Sequence, residues 1–362
     1  MSVASRLSDD DLAILLVASH LGLPRGSGAE PLGPAGWHDL AARLHDANLR
    51  PSWLLGRTAD ELASVATADA SPERLAILLE RAGTIAFDLE RLEQRGIWAV
   101  TRAGEGYPSR LRRLGNLRPP VLFGAGPRDL LDAPAVAVVG SRDVDGAGSA
   151  FADRVGRSAA QAGLAVVSGG ARGVDRVAMF GALDRGGRAV GVLAESLEKW
   201  LRDAALRQAI AEGNLVLLTP FKPDAGFTPA NAMARNKVIY GLADAAVVVA
   251  SDAQKGGTLA GARETLRRGW TPLLVRAGDD APEGNRRLIN EGGLPLLAEQ
   301  IADGDGLATA LAAAQEAFRA PTPPATEPPA AAQQSLLLGG EPVAPPKPKR
   351  TRRTKATDPA DA

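Results

Sequence analysis

The stretch AVAVVGSRDVDG, Ala135–Gly146, opens with an apolar run that stops at Gly140. The run is too short and too β-branched for a helix, so it reads as a strand entering a turn. The pattern recurs downstream in LAVVSGG (164–170), AVGVLA (189–194), NLVLLTP (214–220), AAVVVAS (245–251) and TPLLVR (271–276), with longer segments rich in Ala, Leu and Arg between them. Short strands alternating with helical segments of that length require crossover connections and parallel pairing. The expected fold is therefore α/β, with a Rossmann-like open parallel sheet as its core.

Three loops at the ends of these strands carry the candidate chemistry: Gly140-Ser141-Arg142, then Ser168-Gly169-Gly170-Ala171-Arg172-Gly173-Val174-Asp175, then Lys255-Gly256-Gly257-Thr258. In an open parallel sheet ligands sit beyond the carboxyl ends of the strands, which brings such loops to one rim. Glycines let the backbone approach an anion, the helix after each loop points free N–H groups at it, and arginine adds a bidentate cation. A fourth segment, Arg235-Asn236-Lys237, is expected to open a helix whose other face, Val238, Ile239 and Leu242, is apolar. That arrangement would turn the polar trio to the same rim.

The spans GYPSRLRRL (106–114), PPVLFGAG (119–126), VAVVGSR (136–142), VSGGARGVD (167–175) and ARNKVIYGLADAAVVVAS (234–251) together resemble the DNA-processing protein A (DprA, or Smf) family over roughly Gly106 to Gly293. The resemblance implies a Rossmann-like core that binds single-stranded DNA, loads a RecA-type recombinase and acts in natural transformation. Two departures stand out. Met179 occupies the position of a usual histidine, and Ala194-Glu195-Ser196-Leu197 replaces a usual glycine pair; both are expected near the rim, where they would alter the ligand. A third departure, Lys255-Gly256-Gly257-Thr258 followed by Glu264, is similar with Met233, Arg235 and Asp244 to the nucleotide-cleaving LOG family on a related fold. The match is partial, because Asn236 interrupts the Arg-Lys pair and Glu264 lies far from the threonine. The plainer reading of a glutamate there is a helix surface acid paired with Arg267 or Arg268.

Composition narrows the chemistry further. Lys plus Arg and Asp plus Glu each total 42, so no global field recruits nucleic acid and attraction must be local. The absence of cysteine removes disulfides, thiolate nucleophiles and Cys-based zinc sites. The three histidines, His20, His38 and His45, precede the sheet and are expected to be packing scaffold, so no metal or cofactor is expected in the core. No apolar run approaches a membrane span and the N-terminus is acidic, consistent with a cytoplasmic protein free of the membrane.

Residues 1–95 are expected to form a small helical N-terminal domain. Ser8 caps a helix with acids in its first turn, Thr58 with Glu61 repeats a capping box, GWHDLAARLHDANL (36–49) is a further helix, and Ser71-Pro72 opens one long helix closing at Gly96. Residues 96–300 are expected to be the core, with GYPSRLRRL as either a surface helix start or a clamp between domains, and PPVLFGAG as a strand docking on the sheet edge. Residues 317–362 are expected to be a disordered tail, since ten prolines follow Ala320 with little apolar residue to bury. Within it, Gln333–Leu337 resembles the short peptides that dock on the bacterial sliding clamp. The run Lys347–Lys355 carries six basic residues and no acid, suited to a phosphate backbone or to solubility.

Two functional readings follow. The leading one is a non-enzymatic single-stranded DNA-binding protein using Gly140, Ser141, Arg142, Ser168, Gly169, Gly170, Arg172, Arg235, Asn236, Lys237, Lys255, Gly256, Gly257 and Thr258. With 4% aromatic residues, base stacking is expected to contribute little. The alternative is a nucleotide-binding or nucleotide-hydrolysing, phosphoribohydrolase-like enzyme using Arg235 for charge and Glu264 as acid or base. Homodimerisation is left open.

Overall fold

A computed structural model describes residues 7–23, 28–254, 256–301 and 305–319. Gln333–Leu337 and Lys347–Lys355 lie outside the described residues. The described residues form one compact unit. Among the described residues, a nine-stranded sheet runs through it in the order β1 (Trp98–Thr101), β2 (Val121–Ala125), β6 (Leu215–Thr219), β5 (Arg188–Val192), β4 (Ala165–Ser168), β3 (Ala135–Gly140), β7 (Ala245–Ala250), β8 (Leu273–Arg276), β9 (Leu294–Leu296). Pairing is parallel from β6 through to β9, while β1 and β2 are antiparallel. The fold is α/β, and its six central strands are the six Val- and Leu-rich runs read from sequence. The crossover helices are α6 (Gly146–Gln161), α7 (Val174–Leu183), α10 (Pro229–Leu242), α11 (Gly257–Arg268) and α12 (Glu283–Asn290), with α8 (Leu197–Trp200) and α9 (Ala204–Ala211) joining β5 to β6.

The strands are buried on both faces because helices cover both, which is why they read as continuous rather than alternating apolar runs. One face packs Val136, Val138 and Val247 against α6 and α7; the other packs Ala137, Val139 and Val248 against α10 and α11. Strand order reverses direction at β3. Its neighbour β4 follows directly in sequence, whereas its other neighbour β7 arrives some hundred residues later. That seam is the topological switch point at which open sheets bind ligands.

Two elements extend beyond the sequence reading. Leu294–Leu296 adds a ninth strand, too short and too proline-broken to announce itself, and α13 (Gly306–Arg319) packs Leu307, Leu311 and Ala314 on α6 and near β7 and β8. This helix runs past position 317, where the tail was expected to begin. PPVLFGAG is the strand β2, docked on β6 and itself covered by β1. GYPSRLRRL leads into a 3₁₀ segment, Ser109–Leu117, which kinks at Gly115 with φ 57°. Arg110 pairs with Asp244 at 2.5 Å, and Arg113 donates to the Ala243 carbonyl, so both arginines fasten the end of α10 and the start of β7.

Before the sheet come α1 (Asp9–Ala18), α2 (Pro34–Asp46), α3 (Ala59–Leu62), α4 (Pro72–Leu79) and α5 (Ala82–Gln94). The expected long helix from Pro72 is interrupted at Glu80–Arg81. Arg81 is buried and donates to the carbonyls of Leu16, Ser19, Leu21 and Leu78, satisfying groups left over at the ends of α1 and α4. The α1 start is as read: Ser8 accepts from the Asp11 N–H and Asp11 accepts from the Ser8 N–H. Asp11 also receives the Thr101 hydroxyl at 2.6 Å, joining this cap to β1. Ser8→Ala is expected to cost about 1 kcal/mol in a denaturant titration, the usual worth of such a cap. A cost near zero would mean that Thr101 alone positions Asp11.

Candidate functional site

At the β3/β7 seam the chain bulges between Val139 and Gly140, and the Ser141 N–H donates to the Ala250 carbonyl at 2.9 Å. The bulge turns the first loop over the strand ends, where it meets the second. Gly173 permits the meeting: its φ is 88°, and a Cβ there would lie 2.4 Å from the Ser141 carbonyl oxygen. The Val174 N–H then donates to that same carbonyl.

Asp175, in the first turn of α7, ties the loops together. Its buried carboxylate accepts backbone N–H groups of Gly140, Gly169 and Ala171, so one side chain holds the ends of β3 and β4 in register. Facing it is Arg235 from α10, only 4% exposed, with Nη1 3.7 Å from Asp175 Oδ2. That distance is an ion pair rather than a hydrogen bond. Arg235 reaches this position only because residue 169 has no side chain: a Cβ on Gly169 would sit 1.2 Å from Nη1. Burial pushes the Asp175 carboxyl up, against the opposing pull of Arg235 and of the three N–H groups. The same burial pushes the Arg235 guanidinium down, against the pull of Asp175.

Arg235 Nε and Nη1 are buried without a hydrogen-bond partner. Buried donors are nearly always satisfied, so two orphan donors on one cation are an invitation to an anion. They lie beside a cleft of about 440 Å³ floored by Gly140, Asp175 and Arg235, with Gly256, Gly257 and Thr258 on the α11 side. Gly257 starts the helix α11, and Asn236 Nδ2 donates to its carbonyl at 3.3 Å. A second cavity of about 260 Å³ adjoins it and shares Arg142, Ala171, Phe227 and Arg235. Arg142 stacks its guanidinium 4.8 Å from the centre of the Phe227 ring, and this pair lines both spaces.

Of the residues expected at the rim, Gly140, Ser141, Arg142, Arg235, Asn236, Gly256, Gly257 and Thr258 line the first cavity, and Gly169 and Arg172 line the second. Arg172 is exposed and paired with Asp143 at 2.5 Å, bridging loops one and two. Ser168 is fully buried, its hydroxyl donating to the Val138 carbonyl at 2.6 Å, so it stitches β4 to β3. Gly170 lines neither cavity and holds φ at 65° under Trp200. Lys255 lies outside the described residues.

The Arg235-Asn236-Lys237 trio does not share a face. Thr228 caps α10 and Pro229 takes its first position, so the helix begins well before Arg235. Successive residues in mid-helix point about 100° apart. Arg235 and Asn236 turn to the cleft, whereas Lys237 pairs with Glu264 at 2.8 Å, and neither partner lines either cavity. Met179 is also displaced from the expected rim: it is 2% exposed and packs in the core beside Gly191. Glu195 does reach the rim, lining the second cavity and accepting from Trp200 Nε1 at 3.1 Å.

Sequence reasoning passed over Asp175 and Phe227. Asp175 stands within the second loop, at the start of a helix after three glycines, where a carboxylate is well placed to collect N–H groups. Phe227 is 45% exposed and lines the cleft, a ring that the sequence reading does not single out. Among the described residues no cluster of His, Cys, Asp or Glu could hold a metal ion, and no helix is long and apolar enough to cross a membrane.

Residues 98–303 match the model of the DNA recombination-mediator protein A family. The DNA processing protein DprA of Streptococcus pneumoniae is 32% identical over 178 residues, which cover 48% of this chain and 62% of that protein. The chain thus spans less than two thirds of that relative's length. In three dimensions, the X-ray structure of DNA processing protein A from S. pneumoniae aligns with TM-score 0.62 at 22% identity, covering 85% of this chain and 98% of that one. A structure of DNA processing protein A from Helicobacter pylori, titled for its single-stranded DNA binding mode, aligns with TM-score 0.50 at 24% identity, covering 60% of this chain and 96% of that one. At these identities the two structures establish a common fold.

Proposed function

The chain belongs to the DNA recombination-mediator protein A family, and from that premise we propose that the switch-point cleft binds single-stranded DNA in DNA uptake and recombination. The observation that carries this reading is the buried Arg235 guanidinium with two unpartnered donors beside an open cleft. A phosphate placed there would satisfy Nε and Nη1, take further N–H groups from the start of α11, and leave Arg142 to contact the next phosphate along the strand. Phe227 supplies a π-face on which a base can stack without regard to its identity.

The family's description as a recombination mediator supports a RecA-type recombinase as the protein that receives the strand. The five-residue pattern Gln333–Leu337 supports a sliding-clamp contact. Pairing of two copies and cytoplasmic residence complete the reading. The nucleotide-hydrolysing alternative is not favoured, because Glu264 is paired with Lys237 and lines neither cavity.

Retardation of a labelled single strand tests the reading, with release of free base from nucleoside monophosphates followed in parallel. Phe227→Ala is expected to weaken strand binding by about 1–3 kcal/mol, the range for one lost stacking platform. Arg142→Ala is expected to weaken it by a similar amount, since it removes a charge and the support of the ring. Undiminished binding in the double variant would move the DNA site elsewhere, and base release would restore the enzymatic reading.

A further inference from the structure

A second cavity system lies on the opposite end of the chain's reading order, between α2 and the segments flanking β2. A groove of about 540 Å³ is lined by His38, His45 and Asp46 of α2, by Arg102 after β1 and by Arg118 before β2. His38, Ala41 and His45 recur at helical spacing, so both imidazoles and the small residues between them face the groove, with the buried Trp37 at its floor, while Leu40 turns to the core. A neighbouring cavity of about 330 Å³ shares Ala41, His45 and Pro51 and continues to Arg50. The two make one trough, and among its described lining residues Asp46 is the sole carboxylate.

The arginines of this trough are held in an unusual state. Arg102 donates to the Arg118 carbonyl, and Arg118 leans on the Tyr107 ring at 5.7 Å. The Nε atoms of Arg102 and Arg118 are both buried without a hydrogen-bond partner, and neither arginine forms an ion pair among the described residues. Burial, reinforced by the adjacent Arg118, pushes Arg102 down to about 10. Two like charges crowded without a counter-ion cost stability unless an anion joins them.

We propose that this trough is a second phosphate-binding site, in which Arg102 and Arg118 seat a phosphate of a nucleic-acid strand and the His38 and His45 rings flank it. The shared residues Ala41, His45 and Pro51 join the Arg118 end of the trough to the Arg50 end, which suits a strand carrying more than one phosphate. A free nucleotide shares the same chemistry, and the experiment separates the two. The site stands independently of the switch-point cleft and does not require that cleft to bind DNA.

The three histidines supply the readout. In the full chain carrying ¹³Cε1-labelled histidine, the His38 and His45 ring signals are expected to shift saturably with a short oligothymidylate, while His20, which lines neither cavity, stays as an internal reference. Saturation by inorganic phosphate or thymidine monophosphate at equal phosphate concentration would assign the site to small phosphates; saturation by the oligonucleotide alone assigns it to strands. Ala42→Glu places a carboxylate on the exposed helix face in the groove, leaves the arginines in place, and is expected to weaken the effect about tenfold or more by like-charge repulsion. Arg102→Gln with Arg118→Gln is expected to abolish it. Arg235→Met, which disables the switch-point cleft, is expected to leave these shifts intact. Ring signals that ignore all three titrants, or that respond equally in Ala42→Glu, would overturn the proposal.

Discussion

Asp175→Ala is expected to lower folding stability by about 3–5 kcal/mol, the range for removing one partner of a buried charge pair. The substitution strips the acceptor from the Gly140, Gly169 and Ala171 N–H groups and leaves Arg235 charged and uncompensated. Both loops lose their common anchor, so strand binding should fall together with stability. Chemical denaturation gives the first quantity and strand retardation the second. Asp175→Asn separates the contributions, because its carbonyl can still accept N–H groups while the charge is gone; it should fall between alanine and the native protein. A cost below about 1 kcal/mol, the worth of an exposed pair, would show that the loops hold their shape without Asp175.

Arg235→Met is expected to reduce strand affinity by about 1–3 kcal/mol, as the loss of a charge-assisted contact does, and to make stability depend on pH in a defined direction. Burial already raises the Asp175 carboxyl in the folded state. A raised folded-state value means that protonation favours folding: the contribution is full below the unfolded-state value and is lost as pH rises through the folded one. Removing Arg235 takes away the largest opposing pull and raises the carboxyl further. The variant's stability deficit should therefore be greatest near neutral pH and shrink as pH falls. Thermal unfolding of both proteins across that range checks it, and a deficit constant with pH would mean that Asp175 does not feel Arg235.

Much of this arrangement was legible from residue types, for physical reasons that can be named. The six central strands declare themselves because burial on both faces demands unbroken Val, Leu and Ala, a pattern no surface helix needs. The glycine loops declare themselves because close backbone approach has few substitutes. The geometry of α10 was harder to see. The Arg-Asn-Lys trio looks like one polar patch, and only Thr228-Pro229, further upstream, sets the helix phase that turns Lys237 away to Glu264. Asp175 was quoted but given no task, since a carboxylate beside an anion site looks unfavourable until its three N–H partners are known. Met179, expected near the rim from its place in the family pattern, is carried inward by the helix, to the core. Neither β9 nor α13 has a strong signature: three residues around a proline, and an alanine-rich segment whose partners are distant in sequence.

The late arrival of β7 beside β3 has a consequence for the nascent chain. Gly140 and the loop after β4 leave the ribosome early, but the wall that faces them, Gly256 to Thr258, follows roughly eighty residues or more later. Pairing between such distant segments must await the closure of the large intervening loop, which slows it. Arg235 itself is made only shortly before β7, so for most of that interval the early half presents its glycine loops without the buried cation behind them. Incomplete translation products and prematurely cleaved chains would thus carry the recognisable motifs and lack the completed cleft. Any ligand that needs the whole cleft would therefore be bound only by chains that have reached α11.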